Sequence, residues 1–207
     1  MGTDDLHKKR KTKIRDRKPK RQENEVILIV CEGEKTEKNY LNRLKDFFSL
    51  SNVSINIISG KDSDPLKIVK FAKEKSKENS YDKIYCVFDK DTHSTFNRAK
   101  QKCEKCKFEA IISNPCFEFW ILLHFAYTTK SFTANSPCDE LINICLKKYI
   151  KDYNKNYNFT NIIQQNLDTA IANTKKANKE AEKNNYESSY TFMDKLAIKF
   201  KELNNAR

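Results

Sequence analysis

Apolar positions along the 207-residue chain fall into two periods that alternate from the N-terminal side. Val26-Ile27-Leu28-Ile29-Val30-Cys31 and Ile84-Tyr85-Cys86-Val87-Phe88 are short unbroken apolar runs. Such runs read as strands buried on both faces of a parallel sheet. Val53 to Ile58 alternates into a further strand, and Lys107 to Ile112 reads as the fourth. Helical spacing fills the gaps. Tyr40, Leu41, Leu44, Phe47 and Phe48 predict a helix over Thr36 to Leu50. Asp64-Pro65 is an N-cap followed by proline at the first helical position, opening a helix to Lys77. Thr95 to Lys105 completes the alternation. The pattern predicts an α/β fold: a doubly wound sheet of about four parallel strands with right-handed crossovers.

Beyond the fourth strand the pattern turns helical. Asn114 and Pro115 read as cap and first turn of a helix carrying Phe117, Trp120, Ile121, His124 and Phe125. Helices are predicted over 137–155 and 161–184, with a terminal one over Tyr190 to Leu203. Ile142, Cys145, Leu146 and Tyr149 form a stripe that reads as core packing. The expected organisation is a basic, disordered arm over 1–24, a catalytic core over 25–128 and a helical C-terminal extension over 129–207 packed on it.

Composition sharpens this picture. Apolar residues make up 38%, mean hydropathy is -0.80 and formal net charge is +12. That charge is unevenly placed: residues 1–21 carry +7, residues 22–146 are balanced and residues 147–207 carry +5. A neutral core with two basic flanks suits a polyanion such as nucleic acid. A charged, solvated surface is the plainer account of the C-terminal flank. On the first reading Lys8, Lys9, Arg10, Lys11, Arg15, Arg17, Lys18, Lys20 and Arg21 contact the phosphate backbone without reading sequence. Seven cysteines, an odd number in buried-looking positions, together with a charged N-terminus predict reduced thiols and a cytoplasmic location. The longest apolar stretch, Phe117 to Tyr127, is broken by Glu118 and His124 and is too short for a membrane span.

The candidate chemistry sits where the strands end. Glu32-Gly33 follows the first strand and Asp89-Lys90-Asp91 the third. Open α/β sheets place their ligands at such carboxyl ends. Asp89 and Asp91, two apart in extended chain, point to one side. Glu32 arrives from a neighbouring strand. Hard oxygen donors without adjacent His or Cys favour Mg²⁺ or Mn²⁺ over zinc. Gly33 permits a tight turn and a close approach of phosphate or metal to the backbone. The plainer reading makes the same acids turn residues and helix caps. Two other phosphate chemistries fit less well. A haloacid-dehalogenase-like motif needs its threonine one place beyond Thr92 and its acids after the first strand. A receiver domain needs an acidic pair that Glu32 and Glu34 supply poorly.

Outside that trio the readings stay divided. Asn114 at a helix start offers a phosphate site, and Glu118 is either packed against the helix N-terminus or an extra site carboxylate. His93 is an outside candidate for a phosphate contact or proton carrier. His124, between Leu123 and Phe125, reads as a satisfied core histidine. Cys103-x-x-Cys106 lacks a second pair and reads as two surface thiols on a helix.

Glu-Gly after the first strand and Asp-x-Asp after the third resemble the TOPRIM fold of topoisomerases, primases and OLD-type nucleases. The stretch Val30 to Tyr40, Val87 to Asp91, and Ile112-Ser113-Asn114-Pro115-Cys116-Phe117-Glu118-Phe119-Trp120 through Phe125 together resemble the RloB family. The resemblance covers roughly residues 20–205. It implies a metal-dependent, TOPRIM-like nuclease acting in anti-phage defence, often by abortive infection, with an OLD-like or AAA-type ATPase encoded nearby. It implies that Glu32 is a general acid/base or metal ligand and that Asp89 and Asp91 are metal ligands. Glu34 and Glu37 match acidic positions of the family, one as a second metal ligand, the other as a helix-terminus stabiliser. RNA, tRNA included, is favoured slightly over DNA, and a homo-oligomer is possible. The competing class is a non-catalytic, nucleic-acid-binding or regulatory partner of the ATPase.

Overall fold

The computed structural model describes residues 25–60, 62–90, 93–132 and 136–206. The arm from Lys8 to Arg21, and Asp91 with Thr92, lie outside the described residues. Elements run β1 (Ile27–Cys31), α1 (Thr36–Phe47), β2 (Ile55–Ser59), α2 (Pro65–Lys75), β3 (Lys83–Asp89), α3 (Phe96–Cys106) and β4 (Glu109–Asn114). They continue with α4 (Glu118–Leu123), α5 (Pro137–Glu140), α6 (Thr160–Lys183), β5 (Tyr190–Thr191) and α7 (Met193–Asn205).

The chain is an α/β protein on a five-stranded sheet ordered β2-β1-β3-β4-β5. The first four strands are mutually parallel and β5 runs antiparallel to β4. Every residue of β1 is buried because both faces of the strand are covered. Ile27, Ile29 and Cys31 pack with Tyr40, Leu41 and Leu44 of α1 and with α4, α6 and α7. Leu28 and Val30 pack with Leu66, Val69 and Ala72 of α2 and with Ala99 and Cys103 of α3. This double cover is the physical content of the unbroken apolar run. From β1 the chain returns through α1 to β2 on one side, while α2 and α3 carry it to β3 and β4 on the other. The winding therefore reverses between β1 and β3, the place where doubly wound sheets open a crevice.

The sheet holds one strand more than the sequence pattern predicts. Tyr190 and Thr191 do not start the terminal helix; they pair with Asn114 and Ser113 of β4. Asn178 of α6 fixes the extended backbone there. Its amide nitrogen donates to the Thr191 carbonyl at 2.8 Å and its amide oxygen accepts the Thr191 N–H at 3.2 Å. The helix opens at Met193, after this clamp releases the chain.

The predicted helix over 137–155 is also broken up. It is one α-turn, then a π-turn over Leu141–Cys145 and a 3-10 turn over Leu146–Lys148. A π-turn brings residues five apart onto one face, so Leu141 and Leu146 are both buried. Tyr149, counted in the sequence stripe, is 49% exposed.

Asn114 is not a helix cap. It ends β4, and its amide donates to the Ser188 carbonyl at 3.0 Å. The helix begins four residues later at Glu118. β4 also starts later than the pattern predicts. Lys107 takes a left-handed conformation (φ 59°) that closes α3, with Phe108 N–H donating to the Cys103 carbonyl. Of the two thiols expected on a helix surface, Cys103 is buried beside Cys86. Asp64 does cap α2, accepting the Leu66 N–H at 2.8 Å.

His124 is a core histidine. Its Nδ1 lies 3.0 Å from the Trp120 carbonyl, which can only accept, so Nδ1 carries the proton. Nε2 then accepts the Tyr40 hydroxyl at 3.0 Å. Burial pushes its pKa down to about 4.

Candidate functional site

Glu32 stands just past β1 and ties three strand ends together. Its N–H donates to the Val87 carbonyl of β3 at 3.0 Å. Its own carbonyl accepts the Ser59 hydroxyl of β2 at 3.3 Å. Its Oε2 accepts the N–H of Asp89, the last residue of β3, at 3.1 Å. The parallel register of β1 with β3 brings Cys31 opposite Val87, so residues one and two further on meet at the sheet's carboxyl edge.

Around this pair lies a cavity of about 410 Å³ lined by Gly33, Glu34, Thr36, Glu37, Glu118 and Lys155 as well as Glu32 and Asp89. Glu37 sits in the first turn of α1 and is buried. Its Oε1 accepts the Gly33 N–H at 3.3 Å. Glu118 opens α4, is buried, and its Oε1 accepts the Tyr153 hydroxyl at 2.9 Å. Glu34 is exposed at the rim.

The electrostatics follow from this crowding. Asp89 is held well above the ordinary carboxylate range, first by burial and then by the charges of Glu32, Glu37 and Glu118. Glu37 is also raised, chiefly by burial, with Glu118 adding to the shift and Lys155 opposing it. Gly33 earns its place differently from the sequence expectation. Among the described residues no glycine has a positive φ. What approaches the Gly33 backbone is the Glu37 carboxylate, which a methyl group at that position would overlap.

Among the predicted site residues, Glu32, Gly33, Glu34, Glu37, Asp89 and Glu118 line one cavity. His93 does not; it lines a second cavity beside Lys90. Asn114 lines neither and is engaged with Ser188. Thr36 lies within the Val30 to Tyr40 stretch but carries no role there. Tyr153 and Lys155 belong to no motif and reach the site from a segment whose helical appearance dissolves in the fold.

The family model described as RloB-like protein matches residues 27–199, spanning β1 through most of α7. The chain belongs to the RloB-like family. No curated protein and no solved structure matches it.

In this RloB-like protein the carboxylates lining the cavity are hard oxygen donors, the kind that hard divalent cations take, with Lys35 and Lys155 beside them. Among the described residues, no three His, Cys, Asp or Glu side chains are grouped closely enough to hold a metal ion. Asp91, the other member of the acidic pair, is outside them. The RloB-like chain also has, among its described residues, no helix long and apolar enough to cross a membrane.

Proposed function

We propose that this protein is a metal-dependent, TOPRIM-like nuclease that hydrolyses phosphodiester bonds, RNA ahead of DNA, as an effector of anti-phage defence. The observation that carries this reading is the meeting of Glu32 and Asp89 at the reversal point of the sheet, with Glu37 and Glu118 in the same cavity.

Glu32 and Asp89 would hold Mg²⁺ or Mn²⁺, with Asp91 completing the set. The bound cation supplies charge neutralisation at the phosphate and polarisation of the attacking water. The crowded carboxylates favour such a cation, because burial and mutual repulsion penalise their ionised forms. Glu37 holds its proton to higher pH than a free carboxyl does, which suits a donor to the leaving oxygen. Lys155 offers an ammonium to a phosphate oxygen at the cavity wall. The +12 charge draws the polyanion to the protein.

The test is cleavage of tRNA, single-stranded RNA and single-stranded DNA by purified protein with Mg²⁺, with chelator, and with Glu32→Ala or Asp89→Ala. Cleavage that disappears in the chelator and in both variants supports the nuclease. Intact substrates in every arm, with a neighbouring OLD-like or AAA-type ATPase added, overturn it. A second reading is a non-catalytic regulator of such an ATPase. One observation favours it: among the described residues the acids do not group tightly enough to hold a metal.

A further inference from the structure

A second cavity, of about 630 Å³, opens beside the first at the carboxyl edge of the sheet. Its walls combine the aromatic rings of Phe96, Tyr186, Tyr190 and Phe192 with the ammonium groups of Lys90 and Lys100. The rings form a corner. Tyr186 stands edge-on to Tyr190 at 5.0 Å between centroids, and Tyr190 lies 5.5 Å from Phe192. Tyr190 is buried core, while Tyr186 and Phe192 are half-buried and keep surface towards the cavity.

Lys90 is held in place there. Its Nζ donates to the Tyr186 carbonyl at 3.2 Å and stands 5.7 Å from the Tyr190 ring centre. An ammonium has three donors and that bond uses one. Lys100 is exposed on α3 at the rim. The Tyr186 wall is set by an unusual backbone. Asn185 and Tyr186 are consecutive left-handed residues (φ 56° and 63°), and neither is glycine. The Tyr186 N–H closes α6 on the Ala181 carbonyl at 2.7 Å, which turns the ring towards Tyr190.

The two cavities are joined by adjacent residues. Side chains alternate along β3: Val87 packs on the face of α1 and Phe88 on the face of α2 and α3. Asp89 accordingly turns to the acidic cavity and Lys90 to the aromatic one. Their Cα atoms are about 3.8 Å apart. A strand lying across this edge reaches both.

We infer that the cavity bounded by Lys90, Lys100, Tyr186 and Phe192 holds a nucleotide of a single-stranded nucleic acid, next to the bond presented to Glu32 and Asp89. Its base stacks on the aromatic corner, which tolerates any base because each has a π-face. Its phosphate meets the lysines. This inference rests on the nuclease reading and names the substrate as an unpaired strand.

The test measures binding, not cleavage, so that the two readings fail separately. Fluorescein-labelled single-stranded RNA of about 12 nucleotides is titrated by anisotropy into full-length Glu32→Ala protein. Tyr186→Ala in that background is expected to weaken binding about tenfold, and Tyr186→Phe to restore it. Lys100→Ala, an exposed change that leaves folding intact, is expected to lower the slope of log affinity against log salt by about one. An RNA carrying an abasic site at the stacked position should bind Tyr186→Ala and its parent equally. The inference is overturned if Tyr186→Ala and Lys100→Ala both bind like the parent. It is also overturned if AMP alone binds as tightly as the strand, which would make this a free-nucleotide site. Wild-type cleavage with unchanged binding by the variants would remove the pocket and leave the nuclease standing.

Discussion

Oε2 of Glu32 accepts the backbone N–H of Asp89 at 3.1 Å. The first strand thus grips the end of the third through a side chain, not a ladder bond. The same carboxylate cannot be shortened or removed without loosening the residue most crowded by negative charge. Glu32→Gln keeps an acceptor oxygen for that N–H and removes the charge. It is expected to reduce RNA cleavage at least about 100-fold while leaving stability within about 1 kcal/mol. Urea unfolding beside a cleavage assay checks both halves. A Glu32→Gln protein that cuts normally would remove Glu32 from the chemistry.

Adding a divalent cation should relieve the repulsion among Glu32, Asp89, Glu37 and Glu118. Ligand binding to the folded state alone raises its stability by mass action. Saturating Mg²⁺ is expected to raise the melting temperature by about 3 °C, and Asp89→Asn to abolish that rise. Differential scanning calorimetry with and without Mg²⁺ gives the answer. An equal rise in the variant would point to cation binding elsewhere.

Gly33→Ala isolates the Glu37 carboxylate. The added methyl displaces the flexible end of one side chain and no backbone atom. Stability should stay within about 1 kcal/mol. Cleavage should fall about tenfold or more, since Glu37 can no longer fold over the Gly33 N–H. Normal cleavage by a well-folded Gly33→Ala protein would show that the Glu37 position is structural.

His124 makes stability depend on pH. Its folded-state pKa lies at about 4, below the ordinary 6.5. The folded protein therefore binds its proton less readily than the unfolded chain. Stability is complete above 6.5 and drains as pH falls towards 4. Between pH 6.5 and about 5 the loss should be about 2 kcal/mol. Urea unfolding at both pH values, compared with His124→Gln, measures it. Equal losses in the two proteins would mean that the histidine titrates normally.

The strands that build the site were readable because double burial leaves an unmistakable apolar run. Ile27 to Cys31 and Tyr85 to Phe88 have that character, and the acids after them follow by position. Asp64 before Pro65 was readable for a local reason, since a cap needs only its own helix. What failed depended on distant partners. Tyr190 and Thr191 lie in a stretch whose later residues, Met193, Leu196, Ala197 and Phe200, have helical spacing. Only Asn178 and β4 make the first two extended. Asn114 before a proline resembles a cap, yet Ser188 claims its amide. The approach of Glu118 to Glu37, and the arrival of Tyr153 and Lys155, come from packing between segments far apart in the chain.

The buried cluster on the α1 face extends from Ile27 to Phe200. This sets a timetable during synthesis. At ordinary ribosomal speeds Phe200 emerges about 20 seconds after Ile27. Glu32 and Asp89 are made early, but Tyr153 and Lys155, and the helices that cover Tyr40 and Trp120, come later. A nascent chain interrupted before Tyr153 lacks two contributors to the acidic cavity, and one interrupted before α6 leaves Tyr40, Leu44 and Trp120 without the helix that packs over α1 and α4. A cell making this protein therefore has every residue of the cavity wall only once Lys155 has been translated, and the helices that pack behind that wall later still.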